Sequence, residues 1–179
     1  MNERKVILYI SMSLDGYIAT KDNDLSFLEA VAKKGEDYGY LEFVKSTDAI
    51  IIGRNTYQKV IDMGYEYPHK DKEVYIITRT PQPPIGSFTF YTGDLKTLVA
   101  ELKAKKGKDI YCDGGAQVAN MLLQHRLIDE LIISVIPVLL GDGIKLFAPN
   151  TPTQELQLIS TKSFEKGLVQ LHYNVLPLE

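Results

Sequence analysis

Eight short apolar stretches recur along the chain, at 5–11, 48–53, 73–78, 88–91, 109–112, 129–138, 156–164 and 168–176. Each is enriched in β-branched and aromatic residues and bounded by turn residues, which predicts strands. Between them the period changes. Leu95, Leu98, Val99 and Leu102 follow i, i+3, i+4, i+7, and Val118, Met121 and Leu122 continue the helical spacing. Asp94 stands where an N-cap belongs. Tyr40, Leu41 and Val44 form a third stripe after a short helix near 25–33, and another helix follows Gly53. The order β-α-α-β-α-β-β-α-β-α-β-β-β predicts an α/β fold around a mainly parallel sheet of eight strands. "EKG" (165–167) joins the last two as an antiparallel C-terminal hairpin. In such sheets ligands bind beyond the carboxyl ends of the strands.

A chain of 179 residues suits a single domain, 1–179, with a substantial core. Its net charge of −3 argues against a broad nucleic-acid footprint but leaves room for a small basic pocket. Cys112 is the only cysteine, so no intrachain disulfide forms, and its apolar strand predicts a buried, inert thiol. The first apolar run is interrupted by Asp15 and lacks a cleavage site. "LIISVIPVLL" (131–140) is too short to span a bilayer and contains Pro137. The expectation is a cytoplasmic protein with no membrane partner.

Three predicted strand ends carry phosphate-compatible groups. "AIIIGRNTYQKV" (49–60) ends a strand at Gly53 and opens a helix with Arg54 and Thr56. "VYIITRT" (74–80) ends on Thr78 and Arg79, and "IYCDGGAQV" (110–118) turns through Gly114 and Gly115 into a helix. Free N–H groups at a helix start favour an anion, and arginine adds a charged fork. A plain strand–helix junction explains any one of these alone. A pyrophosphate with an additional phosphate, as in NADPH, would use all three. Neither GxGxxG nor GxxxxGK[ST] is present, which removes the Rossmann fingerprint and the P-loop.

On the substrate side, Asp37 precedes Tyr40, Leu41 and Val44 by three, four and seven residues, placing it on their helix face. Desolvation there would raise its pKa and favour a proton-bearing acid; the alternative is a capping aspartate. Asp113 is either a substrate contact or a cap for the helix beginning near Gly115. Ser134 either lines the pocket or faces solvent, and Asp15 either shapes a turn or contacts the substrate. His69, His125 and His172 show no metal-ligand spacing, so no metal is expected.

"SMSLDGYIA" (11–19), "IIIGRNTY" (50–57), "YIITR" (75–79), "DGGAQV" (113–118) and "IDELIISVIPVLLGDGIKLF" (128–147) occur in order. Together they resemble the dihydrofolate reductase superfamily, most of all the reductase domain of the bifunctional riboflavin-biosynthesis deaminase–reductase. The resemblance implies a dihydrofolate-reductase-like three-layer α/β/α fold and NADPH as cofactor. It places the pyrophosphate at Gly114, Gly115 and Ala116, near Arg54 and Thr56, with Gly53, Asn55, Gln117 and Val118 flanking. It sets Thr78 and Arg79 toward the adenosine 2′-phosphate and Ser11, Ile18 and Ala19 along the nicotinamide, under a closing loop at "KDNDLSF" (21–27). It makes Asp37 the catalytic acid, with Asp113, Ser134, Leu41 and Phe27 beside the substrate. Ser26-Phe27 replaces the Pro-Trp usual in dihydrofolate reductases, and no arginine for a folate tail is evident.

The expected activity is therefore NADPH-dependent hydride transfer to a C=N or C=O group of a small pyrimidine- or pterin-like heterocycle. True dihydrofolate reductase activity is the alternative within the enzyme class, and a non-catalytic NADPH-binding sensor is the alternative outside it. The resemblance also implies a homodimer.

Overall fold

Strands that must bury both faces organise the molecule. In "AIIIG" (49–53), Ala49 and Ile51 enter one hydrophobic core while Ile50 and Ile52 enter another. Ile110 and Cys112 pair with the first core and Tyr111 with the second, and Leu131, Ile133 and Ile132 divide in the same way. A run of apolar residues with period-two division is what a sheet covered on both faces requires. The computed structural model describes residues 3–177.

Among the described residues ten strands form: β1 (Val6–Ser13), β2 (Tyr17–Ala19), β3 (Thr47–Gly53), β4 (Glu73–Ile77), β5 (Phe88–Tyr91), β6 (Asp109–Gly114), β7 (Glu130–Ile136), β8 (Ile144–Lys145), β9 (Leu156–Ser163) and β10 (Val169–Val175). Eight make one sheet in the order β5-β4-β3-β6-β1-β7-β10-β9. The pairs from β5 through to β7 are parallel, and β10 runs antiparallel to both β7 and β9. All eight strands read from the sequence are in this sheet. Strands β2 and β8, three and two residues long, pair separately and were not legible because such short pieces show no alternation.

Helices α3 (Leu95–Ala104) and α4 (Ala116–Gln124) cover the first core, supplying Leu98, Val99, Leu102, Val118 and Leu122. Helices α1 (Tyr40–Lys45) and α2 (Arg54–Asp62) cover the second, through Phe43 and the half-buried Tyr40, Val44, Tyr57 and Val60. The layers are therefore α/β/α. A 3₁₀ turn at Ser26–Val31 packs Phe27 and Val31 against Ile136 and Leu168 in a third, smaller cluster. Asp94 caps α3 by accepting the Thr97 N–H at 2.9 Å.

The stripe on α1 differs from its sequence reading. Tyr40, Phe43 and Val44, at i, i+3 and i+4, face inward, and Leu41 is 61% exposed. Leu41 follows Tyr40 by one residue, about 100° round the helix, which turns it away from the face centred on Phe43.

Candidate active site

The parallel strands β4, β3 and β6 are neighbours, so their carboxyl ends bring the three turn motifs side by side. Gly53 is the N-cap of α2 and Gly115 the N-cap of α4, and neither helix has a side-chain cap. The two helix starts meet: the Gly115 N–H donates to Thr56 Oγ1 at 2.9 Å. The approach is close, and it favours glycine most strongly at Gly115. A Cβ on Gly115 would lie 2.7 Å from Thr56 Oγ1, and one on Gly53 would lie 3.2 Å from Val118 Cγ2. Gly114 has φ +90°, and the Gly114–Gly115 peptide is cis. The remaining N–H groups of both first turns have no partner within their helices, and their dipoles favour an anion at this point.

Arg54 reaches sideways to the segment after β4; with the Gln82 amide turned so that its oxygen faces the guanidinium, that oxygen accepts two bonds at 2.9 and 3.2 Å. Thr78, just past β4, binds Tyr91 O through its N–H and accepts the Thr80 N–H at 3.1 Å. Arg79 is exposed and has no acidic partner among the described residues. Asn55 and Gln117 are exposed, Ala116 is half-buried and Val118 is buried in the core.

Beside these helix starts lies a cavity of about 430 Å³, beyond the carboxyl-terminal halves of β1, β6 and β7. Ser11, Ile18, Ala19, Thr56 and Gly115 line it, so five of the cofactor residues expected from sequence share one cavity with Asp37, Asp113 and Ser134. Asn23 and Leu25, from the loop expected to fold over the site, also line it, as does Leu28 just beyond that loop.

Asp37 lines the cavity but does not carry the raised pKa expected of it. It is exposed at the mouth, ahead of α1, not on the helix's buried face. The Leu41 N–H donates to its Oδ2 at 2.9 Å and the Gly39 N–H to its Oδ1 at 3.0 Å. These two bonds, Leu41's first, hold its carboxyl below the usual carboxylate range. Asp37 thus accepts from backbone N–H groups at the start of α1, whose N-cap is Gly39, while lining the cavity as an anion.

Asp113 does not cap α4, whose N-cap is Gly115 with no side-chain cap bond. Its carboxylate points into the cavity wall and accepts the Tyr67 and Tyr111 hydroxyls, each at 2.6 Å. Burial first, then the Asp113 charge, pushes both phenols well above the usual tyrosine range, so they remain neutral donors. Ser134 is 2% exposed, not solvent-facing, and its Oγ accepts from Gln170 Nε2 at 3.2 Å. Leu41 and Phe27, expected beside the substrate, do not line the cavity: one faces solvent and the other fills the small core below the 3₁₀ turn. Asp15 shapes a turn, accepting the Leu140 and Gly141 N–H groups at 3.1 and 2.7 Å. Cys112 is buried, and burial pushes its thiol up to about 12.

The sequence reading did not assign several wall residues to the site. Tyr40 and Tyr111 line the cavity with Tyr9, and Tyr40 Oη lies 2.8 Å from His69 Nε2. Lys59 adds a cation one helical turn beyond Thr56. Gln170 crosses from β10 to bind Tyr9, Ser134 and the Tyr38 carbonyl. The spacing Asp37-Tyr40 could have flagged Tyr40; His69, 29 residues from it, gave no local signal.

This architecture has a family. The chain belongs to the RibD C-terminal domain family, whose sequence model matches residues 4–170. It is 41% identical over 172 residues to the uncharacterized protein YwjB of Bacillus subtilis (strain 168), covering 96% of this chain and 98% of that one. The crystal structure of a candidate riboflavin biosynthesis protein from Shewanella sp. PV-4 superposes with a TM-score of 0.85 at 31% identity, over 97% of this chain and 99% of that chain. The deaminase/reductase of Thermotoga maritima, at 14% identity and TM-score 0.72, shares the fold over 97% of this chain and 57% of its own. Among the described residues no helix is long and apolar enough to cross a membrane.

Proposed function

We propose that this protein is an NADPH-dependent reductase of a small pyrimidine-like heterocycle, resembling 5-amino-6-(5-phosphoribosylamino)uracil reductase. The observation that carries this reading is the meeting of two uncapped nine-residue helix starts, through Gly115 N–H and Thr56 Oγ1, beside a cavity walled by two carboxylates. The glycine cradle fits a pyrophosphate, since a Cβ at Gly115 would occupy the approach. NADPH, when bound, supplies the hydride. Gly114, Gly115 and Ala116 hold its pyrophosphate with Arg54 and Thr56, and Gly53, Asn55, Gln117 and Val118 frame that contact. Thr78 and Arg79 take the 2′-phosphate. Ser11, Ile18 and Ala19 face the nicotinamide, and Asp37, Asp113 and Ser134 orient the substrate ring.

The test is NADPH oxidation with the riboflavin-pathway pyrimidine or dihydrofolate as acceptor. Asp37→Asn should lower kcat roughly 10- to 100-fold, the range expected for losing one charge-assisted hydrogen bond. NADPH binding by that variant should stay unchanged. Arg79→Ala should remove a roughly tenfold preference for NADPH over NADH without moving Tm, because the side chain is exposed. Saturable NADPH binding with no oxidation of either acceptor would favour the sensor reading.

The chain forms a homodimer through the uncovered end of the sheet. Leu156, Leu158 and Ile159 on the edge strand β9, with Val169 on β10, are exposed large apolar residues on neighbouring strands. A monomer mass in sedimentation equilibrium would contradict this.

A further inference from the structure

Reduction of a C=N or C=O group needs a proton as well as a hydride, and the carboxylates and phenols of the cavity wall differ in which can give one. Asp37 is held as the anion by two backbone N–H donors. Asp113 is an acceptor for two phenols. The Tyr111 hydroxyl hydrogen is committed to Asp113, that of Tyr9 to the Tyr38 carbonyl at 3.1 Å, and that of Tyr38 to the Val31 carbonyl. Tyr40 is the wall tyrosine whose hydroxyl meets an imidazole, His69 Nε2, at 2.8 Å.

We infer that Tyr40 and His69 form a proton relay: Tyr40 donates to the substrate heteroatom and His69 restores the Tyr40 proton. This rests on the reductase reading above. As hydride from NADPH bonds to the substrate carbon, the π pair of the C=N or C=O moves to the heteroatom. That atom takes the Tyr40 hydroxyl proton, and the phenolate oxygen takes the proton on His69 Nε2. The acceptor is reduced, NADPH is oxidised, and half-buried His69 is reprotonated from solvent.

The surroundings explain why the phenol needs a partner. Burial first, then the Asp113 charge, pushes Tyr40 above the usual tyrosine range, so an isolated phenolate there would be costly. When His69 is protonated, Nε2 donates to Tyr40 and the phenol hydrogen is released toward the cavity. When it is neutral with Nε2 unprotonated, the phenol hydrogen is drawn to the ring. His69 is faced by Asp113 from β6, by Asp71 and Lys72 of its own turn, and by the rings of Tyr40, Tyr67 and Tyr111. Burial lowers its pKa most, Asp113 and Asp71 raise it, Lys72 lowers it, and the net direction is downward. The relay is loaded at low pH and empties as pH rises through a value below the ordinary histidine range.

The test has two arms. In the ligand-free protein with labelled His and Tyr, NMR should show the Tyr40 Cζ shift moving with the same midpoint as the His69 ring, and His69→Gln should abolish that step. Independent titration of the two rings overturns the relay, whether or not NADPH binds. In NADPH oxidation with either acceptor above, Tyr40→Phe should lose roughly 10²- to 10⁴-fold in kcat with NADPH affinity unchanged. His69→Gln should remove the rise in rate at low pH. A Tyr40→Phe enzyme with the wild-type rate and pH profile, or a His69→Gln enzyme with the wild-type profile, overturns the proposal. Failure of the reductase reading shows separately, as absence of NADPH binding by the wild type.

Discussion

Gly115→Ala is expected to weaken NADPH binding by roughly 5- to 150-fold, the equivalent of about 1–3 kcal/mol of overpacking. The added Cβ would lie 2.7 Å from Thr56 Oγ1, the same atom that accepts the Gly115 N–H. Thr56 cannot turn away without losing that bond, and it stands in the first turn of α2, where a β-branched side chain has few rotamers. Relief therefore requires α2 and α4 to separate, and their starts are the proposed phosphate site. Because the two helices also cover opposite faces of the sheet, a fall in Tm of a few degrees should accompany the loss of affinity. Fluorescence titration of NADPH and thermal denaturation measure both. Wild-type affinity in this variant would remove the cradle from the cofactor site.

Asp113→Ala should cost about 2–6 kcal/mol of stability, because it strands two donors. Tyr67 and Tyr111 are 2% and 3% exposed, and each gives its hydroxyl to one Asp113 oxygen at 2.6 Å. A buried donor left without an acceptor costs about 1–3 kcal/mol. The double replacement Tyr67→Phe with Tyr111→Phe should recover much of that loss on the Asp113→Ala background, since the stranded donors are then gone. Urea denaturation of the variants measures this. An Asp113→Ala protein as stable as the wild type would mean that water reaches the two phenols.

The strand ends were legible because three signals coincide there. Strands β3 and β4 have β-branched runs and β6 has the apolar Ile110-Tyr111-Cys112, each stops at a residue with turn or phosphate chemistry, and a helix or connection follows. Parallel pairing then makes their ends adjacent, which no single motif states. Asp37 shows what spacing leaves open. Its distance from Tyr40 and Val44 suggested a desolvated acid, yet it lies ahead of the first turn of α1, and two backbone N–H groups and solvent keep it ionised. Leu41 failed for a related reason, since a helix of six residues buries a narrow face centred on Phe43. His69 and Tyr67 come from the connection between α2 and β4, where periodicity is absent and His69 adopts φ 71°. Tertiary proximity to Asp113 and Tyr40 gives them their roles, and a linear pattern carries none of it.

The protein has 11 tyrosines and no tryptophan, so energy transfer from tyrosine to the reduced nicotinamide reports binding directly. Titration of NADPH into the wild-type protein should give saturable binding with a dissociation constant on the order of micromolar, weaker for NADH and weaker again in Gly115→Ala. No saturable signal for NADPH up to roughly millimolar concentration would contradict a cofactor site at the ends of β4, β3 and β6.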